Sequence, residues 1–375
     1  MQSGNPLTGL PFVGTEGGGA VAKATLQTVA DRVGVSRMTV SNAFSRPDQL
    51  SSALRRRILD AAADLGYVGP DPAARALARG ATGAVGVMLT DSLRFAFTDA
   101  VATSFLAAIA EELAPTGLAL TLLTTTTGQA GVVPARDVAM DGALVYSCEA
   151  RSPAIDWLIR RRLPLVFVDQ TPAAGIASVN VEDRSGARAA AQHLVDLGHR
   201  RVGILTAGAD GPYGLVADPF ASRAAYAPRQ RMLGWHDALD RAGIRPNVVR
   251  QPPYSDRVGE SARLLLDTAE PPTAVLCFSD AIAYAVVRTA EDLGLYVPAD
   301  VSVVGFDDNP LAGRMRPALT TVRQDVAAKG RAAAAALTAA IERDRTGAPG
   351  RARHVRLPTE LVLRDSTASP PARVR

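Results

Sequence analysis

The sequence predicts a small all-α helix-turn-helix unit followed by a large α/β body made of two doubly wound parallel sheets. Three observations predict it. Residues 25–65 carry short helical periodicities broken by tight turns, and from Gly83 onward short apolar runs alternate with longer helical patterns. The third is charge: the chain of 375 residues carries a net +4, and between Lys23 and Gly80 nine basic residues stand against five acidic ones. A basic N-terminal module on a near-neutral body is the asymmetry of a protein that meets phosphate with one end. Hydrophobic residues at 47%, few aromatics and 21% charged residues exclude a disordered chain, and no apolar run is long enough to span a bilayer.

In chain order, residues 1–22 are Gly-rich without a basic start or sustained apolar run, so they read as a flexible tail rather than an export signal. With Cys148 and Cys277 as the only cysteines, a reducing cytoplasm is the expected compartment. Residues 23–68 form the helical unit. Leu26, Val29, Ala30 and Val33 follow helical spacing after a Thr25 cap, and Gly34 interrupts the run. Ser36 caps a second helix with Val40, Ala43 and Phe44 inward and Arg37, Met38, Ser41 and Asn42 outward. A third helix starts near Ser51, buries Leu54, Ile58, Ala62 and Leu65, and stops at Gly66. Residues 69–82, with two prolines and an Ala-rich stretch, form a linker with one brief helix.

Residues 83–367 form the body, and residues 368–375 a C-terminal tail. Strand-like runs are Ala84–Leu89, Leu118–Leu123, Gly142–Tyr146, Leu165–Asp169, Val202–Leu205, Val248–Arg250, Ala274–Phe278 and Val301–Phe306. They lack polar alternation, so both faces are covered by helices, as in parallel sheets, and there are too many for one small sheet.

The segment from Thr25 to Asn42 is the sharpest signal. Ala30 lets two helices cross closely, Gly34 makes the turn, and the outer face of the second helix is free to enter a major groove. These residues resemble the helix-turn-helix of the LacI/GalR family of transcriptional regulators. The resemblance runs over nearly all of residues 24–367, through Leu65-Gly-Tyr67, His193-Leu-Val-Asp-Leu-Gly-His199, Arg231-Met-Leu-Gly-Trp235, Asp300-Val-Ser-Val-Val-Gly-Phe-Asp-Asp308, Pro317-Ala-Leu-Thr-Thr321 and Leu361-Val-Leu-Arg-Asp-Ser-Thr367.

The resemblance implies a homodimer on a palindromic double-stranded operator, a two-lobed periplasmic-binding-protein-like body, and a small-molecule effector, sugar-like in character. Arg37, Met38 and Asn42 match the base-reading positions. Ser36, Thr39, Ser41, Ser51 and Arg55 match phosphate contacts, whereas Leu54 stands where the family often has Thr and removes one. Ala74 and Leu77 belong to the stretch that resembles the hinge helix, Leu77 being the minor-groove wedge; the alternative has Leu77 tucked against its own module.

For the effector the implied contacts are Phe95, Phe97, Tyr146, Arg231, Tyr254, Ser279 and Asp307, with Asp183 added from the acidic pair Glu182-Asp183. Most lie just past strand ends, where open α/β sheets bind ligands, and carboxylate, guanidinium, hydroxyl and aromatic groups together suit a polyhydroxylated molecule. Ser279 replaces the family's common Asn. A structural ion pair is the other reading of Arg231 and Asp307. Gly208 to Arg229, longer than the family's usual connection and carrying Tyr213, Phe220, Arg223 and Tyr226, lies over the cleft or is a surface insertion.

No nucleophile elbow or phosphate loop is present, and His193, His199, His236 and His354 lack metal-ligand spacing, so neither catalysis, a cofactor nor a metal is expected. The rival from another class is a sugar-binding protein or sugar-processing enzyme with incidental N-terminal helices. The C-terminus has no leucine heptads, which points to dimers rather than tetramers, with no membrane partner.

Overall fold

The computed structural model describes residues 24–89, 93–125, 131–147, 152–208, 211–220, 225–253 and 255–372, with backbone alone at Pro47 and Phe95. They divide into two compact units between Thr82 and Gly83.

In the first unit, α1 (Leu26–Val33) starts at Thr25, whose hydroxyl accepts from Thr28 N while the Thr28 hydroxyl accepts from Thr25 N. This reciprocal cap satisfies donors a helix start leaves open. Gly34 ends it at φ 74°, a left-handed conformation that costs glycine nothing. After Ser36, whose hydroxyl accepts from Thr39 N, comes α2 (Arg37–Ser45); α3 (Ser52–Asp64) is capped the same way by Ser51. Val29, Ala30, Val40, Ala43, Ile58 and Ala62 form the core. Leu65 departs from expectation. It is 38% exposed, because α3 ends at Asp64 and Gly66 turns the chain at φ 66°. Tyr67 takes that place and meets Phe44 edge-on at 5.7 Å between centroids. Leu54 is only half-buried.

α4 (Pro72–Arg79) forms within the linker for local reasons: the Asp71 carboxylate accepts from Ala73 N and Ala74 N, Pro72 sits in the first turn, and Gly80 closes the helix with φ 63°. None of its residues is buried.

The second unit begins with β1 (Ala84–Leu89), α5 (Phe95–Thr98), α6 (Ala100–Leu113), β2 (Ala119–Thr124), α7 (Pro134–Asp137), β3 (Gly142–Tyr146), α8 (Pro153–Arg160), β4 (Leu165–Val168) and β5 (Ala177–Val181). It continues through α9 (Asp183–Asp196), β6 (Val202–Ala207), β7 (Gly214–Leu215), α10 (Tyr226–Leu239), β8 (Asn247–Gln251), α11 (Val258–Leu266), β9 (Ala274–Cys277) and α12 (Asp280–Asp292). The last elements are β10 (Ser302–Asp307), α13 (Pro310–Arg314), β11 (Thr320–Gln324), α14 (Val326–Thr346), β12 (His354–Leu357) and β13 (Thr359–Val362).

Two sheets result, in the orders β12-β5-β4-β3-β1-β2 and β13-β11-β10-β9-β6-β8-β7. The first is wholly parallel; the second is parallel except for its edge strands β13 and β7. Each is the same doubly wound unit, with a switch point between β1 and β3 in one and between β6 and β9 in the other, where strand order reverses and a crevice opens at the carboxyl ends. The chain crosses between lobes after β5, after β11, and between β12 and β13.

Sequence patterning misses β5, β11, β12 and β13 because they are short and carry polar residues, and it runs two strands one residue long: β4 ends at Val168 and β9 at Cys277, so Asp169 and Phe278 begin the loops. The expected tail boundary also shifts. The Ala368 carbonyl accepts from His199 Nε2 and Ser302 Oγ, and Ala368 N donates to Ser302 Oγ, so the body holds its C-terminal strap past Thr367. Among the described residues no helix is long and apolar enough to cross a membrane, and no group of three or more His, Cys, Asp or Glu could hold a metal ion. Cys277 is buried, and burial pushes its thiol pKa up; Cys148 lies outside the described residues.

Candidate DNA-reading helix and effector cleft

α2 presents Arg37 and Met38 to solvent, Met38 being 70% exposed although apolar. Asn42, one turn on, is half-buried and its side-chain amide donates to Gln49 Oε1 at 3.2 Å, so Gln49, which the sequence reading left out, orients it. The Ser36 and Thr39 hydroxyls lie 2.8 Å apart at the helix start. Ser41 is half-buried on α2, and Ser51 opens α3. Arg55 is exposed, and its Nε donates to Ala43 O at 3.2 Å, tying α3 to the end of α2. On α4, Ala74 is exposed and Leu77 is 87% exposed, so the alternative in which Leu77 packs against its own module is not what forms.

In the second unit a cavity of about 340 Å³ lies at the carboxyl ends of the strands of both sheets. Tyr146, Ser147 and Asp169 line it from the first lobe; Ala207, Gly208, Gln251, Phe278, Ser279 and Asp307 line it from the second. Ser147, Asp169 and Asp307 have φ of 50°, 51° and 115°. Such backbone costs a residue with a Cβ about 1–3 kcal/mol and gathers at ligand sites.

A polar chain runs across this cavity. Arg231, in the second turn of α10, donates from Nε to Asp183 Oδ1 at 2.9 Å and from Nη1 to the Phe278 carbonyl, and Nη1 lies 3.4 Å from Asp307 Oδ1. Its guanidinium lies over the rings of Phe306 and Phe278, 3.6 and 4.6 Å from their centroids. Gln324 Nε2 donates to Asp307 Oδ1 at 2.7 Å. Lys329, near the start of α14, donates to Gln324 Oε1 at 2.9 Å and to Asp169 Oδ2 at 2.6 Å. All six side chains are buried. Burial raises the pKa of Asp183 and of Asp307 to about 6, with Arg231 pulling each back toward the charged form. Beneath them Asp280, which accepts from Thr321 Oγ1 and Asn309 N, is pushed to about 8 by burial and by the Asp307 charge.

Tyr146 lines the cavity and stacks on Phe105 at 4.4 Å between centroids; Ser279 lines it while capping α12. Asp183 is 1% exposed and lies behind Arg231, outside the cavity lining, so it holds the guanidinium in place. Phe97 is a correction: it is 71% exposed and off the lining, because α5 is only four residues long and turns that side chain to solvent. The Phe95 side chain and all of Tyr254 lie outside the described residues.

In the long connection after β6, β7 pairs antiparallel with β8 at the sheet edge, Phe220 meets the His236 ring at 4.9 Å, and the Pro219 carbonyl accepts from Arg250. Ala225, Ala227 and Pro228 reach the cavity wall; Arg223 lies outside the described residues.

Sequence reading missed Asp169, Gln251, Gln324 and Lys329. Asp169 had the signal that found Asp307, a carboxylate at the carboxyl end of a parallel strand. Lys329 had none, its partner standing 160 positions away.

Residues 25–69 match the model of bacterial regulatory proteins of the lacI family, and residues 191–367 that of a periplasmic binding protein-like domain. An HTH-type transcriptional regulator of Mycolicibacterium smegmatis is 37% identical over 327 residues, covering 83% of this chain and 89% of that protein. The lac repressor dimer bound to operator and the anti-inducer ONPF aligns with a TM-score of 0.71 at 27% identity, over 92% of this chain and 99% of that one. The complex of the transcriptional regulator CelR with cellobiose aligns with a TM-score of 0.65 at 28% identity, over 92% and 99%. With a lacI-type head, a periplasmic-binding-protein-like body and relatives that are HTH-type regulators over most of their length, the chain belongs to the LacI family of transcriptional regulators.

Proposed function

We propose that this regulator is a repressor that acts as a homodimer in the cytoplasm, reads a palindromic operator through Arg37, Met38 and Asn42, and changes its operator affinity when a sugar-like effector occupies the cleft. It has no catalytic step. The observation that carries the reading is one chain joining an exposed, capped recognition helix to a cavity lined by acids, hydroxyls and rings at the carboxyl ends of two sheets. Cellobiose in the similar CelR structure supports a sugar.

Two recognition helices of a dimer would meet half-sites about one helical turn apart, roughly 34 Å, with Leu77 of each hinge helix wedged into the minor groove between them. Arg37 suits a bidentate contact to guanine and Met38 a thymine methyl. An effector shifts operator affinity only by the difference in its own affinity for the two lobe arrangements. The test is selection of bound duplexes from a random pool, followed by mobility shift. The expected result is a palindrome whose preference over random duplex collapses in Arg37→Ala. Enrichment of no sequence by the wild type overturns the reading.

A further inference from the structure

The cleft holds hydrogen-bonding capacity that the described residues leave unused. Asp169 Oδ1 and Gln251 Oε1 are buried without a hydrogen-bond partner among the described residues, and both residues line the cavity. They come from opposite lobes: Asp169 just past β4, Gln251 at the end of β8. Both atoms only accept, so the ligand group that meets them must donate. A ligand that displaces water from such atoms without donating leaves them unsatisfied, which weakens its binding.

The charge of the lining narrows the choice further. Asp99, Asp169 and Asp307 line the cavity against Arg231 and Lys329, so acids outnumber bases. Both bases already have carboxylates: Lys329 holds Asp169, and Arg231 lies between Asp183 and Asp307. Among the described lining residues a phosphate or carboxylate finds no cation that is not already neutralised, and it meets an excess of like charge. A molecule rich in hydroxyls and without charge satisfies the acceptors and meets no such repulsion.

Resting on the sugar reading above, we propose that Asp169 and Gln251 are the specificity-determining pair of this cleft: together they select a polyol without negative charge, and the acid excess rejects its phosphorylated and carboxylated forms. Because the two acceptors belong to different lobes, one polyol donating to both ties the lobes together. Binding and lobe closure are then a single event.

The test is calorimetry on the full-length protein with a panel of neutral aldoses, cyclic and linear polyols and disaccharides, the phosphate ester and uronate of each available parent, and purine bases as a separate class. The expected result is a neutral polyol that binds, with its phosphate ester at least tenfold weaker. Gln251→Leu lowers that affinity at least tenfold, and Gln251→Glu, which keeps the acceptor, restores part of it; melting curves establish that both variants fold. Binding of a phosphate ester or uronate as tight as that of its neutral parent overturns the proposal and leaves the sugar reading intact, as does unchanged affinity in Gln251→Leu. Binding of a purine with no sugar bound, or binding of nothing in the panel, overturns the sugar reading itself.

Discussion

Replacing Arg231 with Met keeps most of the side-chain stem and removes the charge. The loss comprises the hydrogen bonds to Asp183 and to the Phe278 carbonyl, the approach to Asp307, and the cation–π contacts with two aromatic rings. What remains is two carboxylates, 1% and 7% exposed, whose shared counter-ion has gone. Removing one partner of a buried ion pair costs about 3–5 kcal/mol. Proton linkage sets a ceiling: a carboxyl with an unfolded pKa near 3.9 that must stay neutral in the fold costs at most about 5 kcal/mol at pH 7.5 and about 1.5 kcal/mol at pH 5.

The sign follows from the direction of the shift. Burial already raises both acids to about 6 in the presence of Arg231, and without it they rise further. An acid raised in the folded state supports the fold below its unfolded pKa and loses that support as pH climbs through the folded value. The Arg231→Met protein is therefore expected to be destabilised by about 3–5 kcal/mol at pH 7.5 and by less than half of that at pH 5. Urea unfolding followed by tryptophan fluorescence measures it, since Trp157 and Trp235, the only two tryptophans, both lie in the second unit. Equal destabilisation at the two pH values would refute the reasoning, because Arg231 would then not be the counter-ion of Asp183 and Asp307.

Three further outcomes follow from the packing and charge of the fold. At Gly234 an added Cβ would stand 2.2 Å from Arg184 O and 2.8 Å from Ala187 Cβ, so Gly234→Ala must push α10 off α9 and should cost about 3 kcal/mol in the same urea assay; Gly313, with open space around it, should tolerate Ala without loss. Leu77→Ala should leave the melting temperature unchanged, because the side chain packs on nothing, while weakening binding to the selected operator in a mobility shift; unchanged binding would remove Leu77 as a wedge. Asp280, raised to about 8, opposes folding increasingly from about pH 4 upward, so the stability of Asp280→Asn relative to wild type should rise by about 2.5 kcal/mol between pH 5 and pH 7; parallel pH profiles would contradict that.

What could be read from the sequence tracks how local each determinant is. The head was legible because its parts act over a few residues: the Thr25 and Ser36 caps, the turn at Gly34, and the apolar spacing that buries Val29, Val40 and Ile58. In the cleft, Tyr146, Ser279 and Asp307 were legible because an apolar run locates a buried strand, and whatever follows its carboxyl end faces the crevice. The same rule brought Phe97 in wrongly, since four helical residues were enough to rotate it outward. Lys329 lay beyond any such rule. It sits in an Ala-rich helix where a lysine would ordinarily be solvated, and only the return of α14 to the first lobe sets it against Asp169. A buried charge is defined by its partner, and the partner is fixed by the path of the chain. Where a cleft charge depends on so distant a partner, as Lys329 does on Asp169, sequence patterning says nothing of it, and substitution there would change the charge offered to a ligand while leaving the strand and helix pattern untouched.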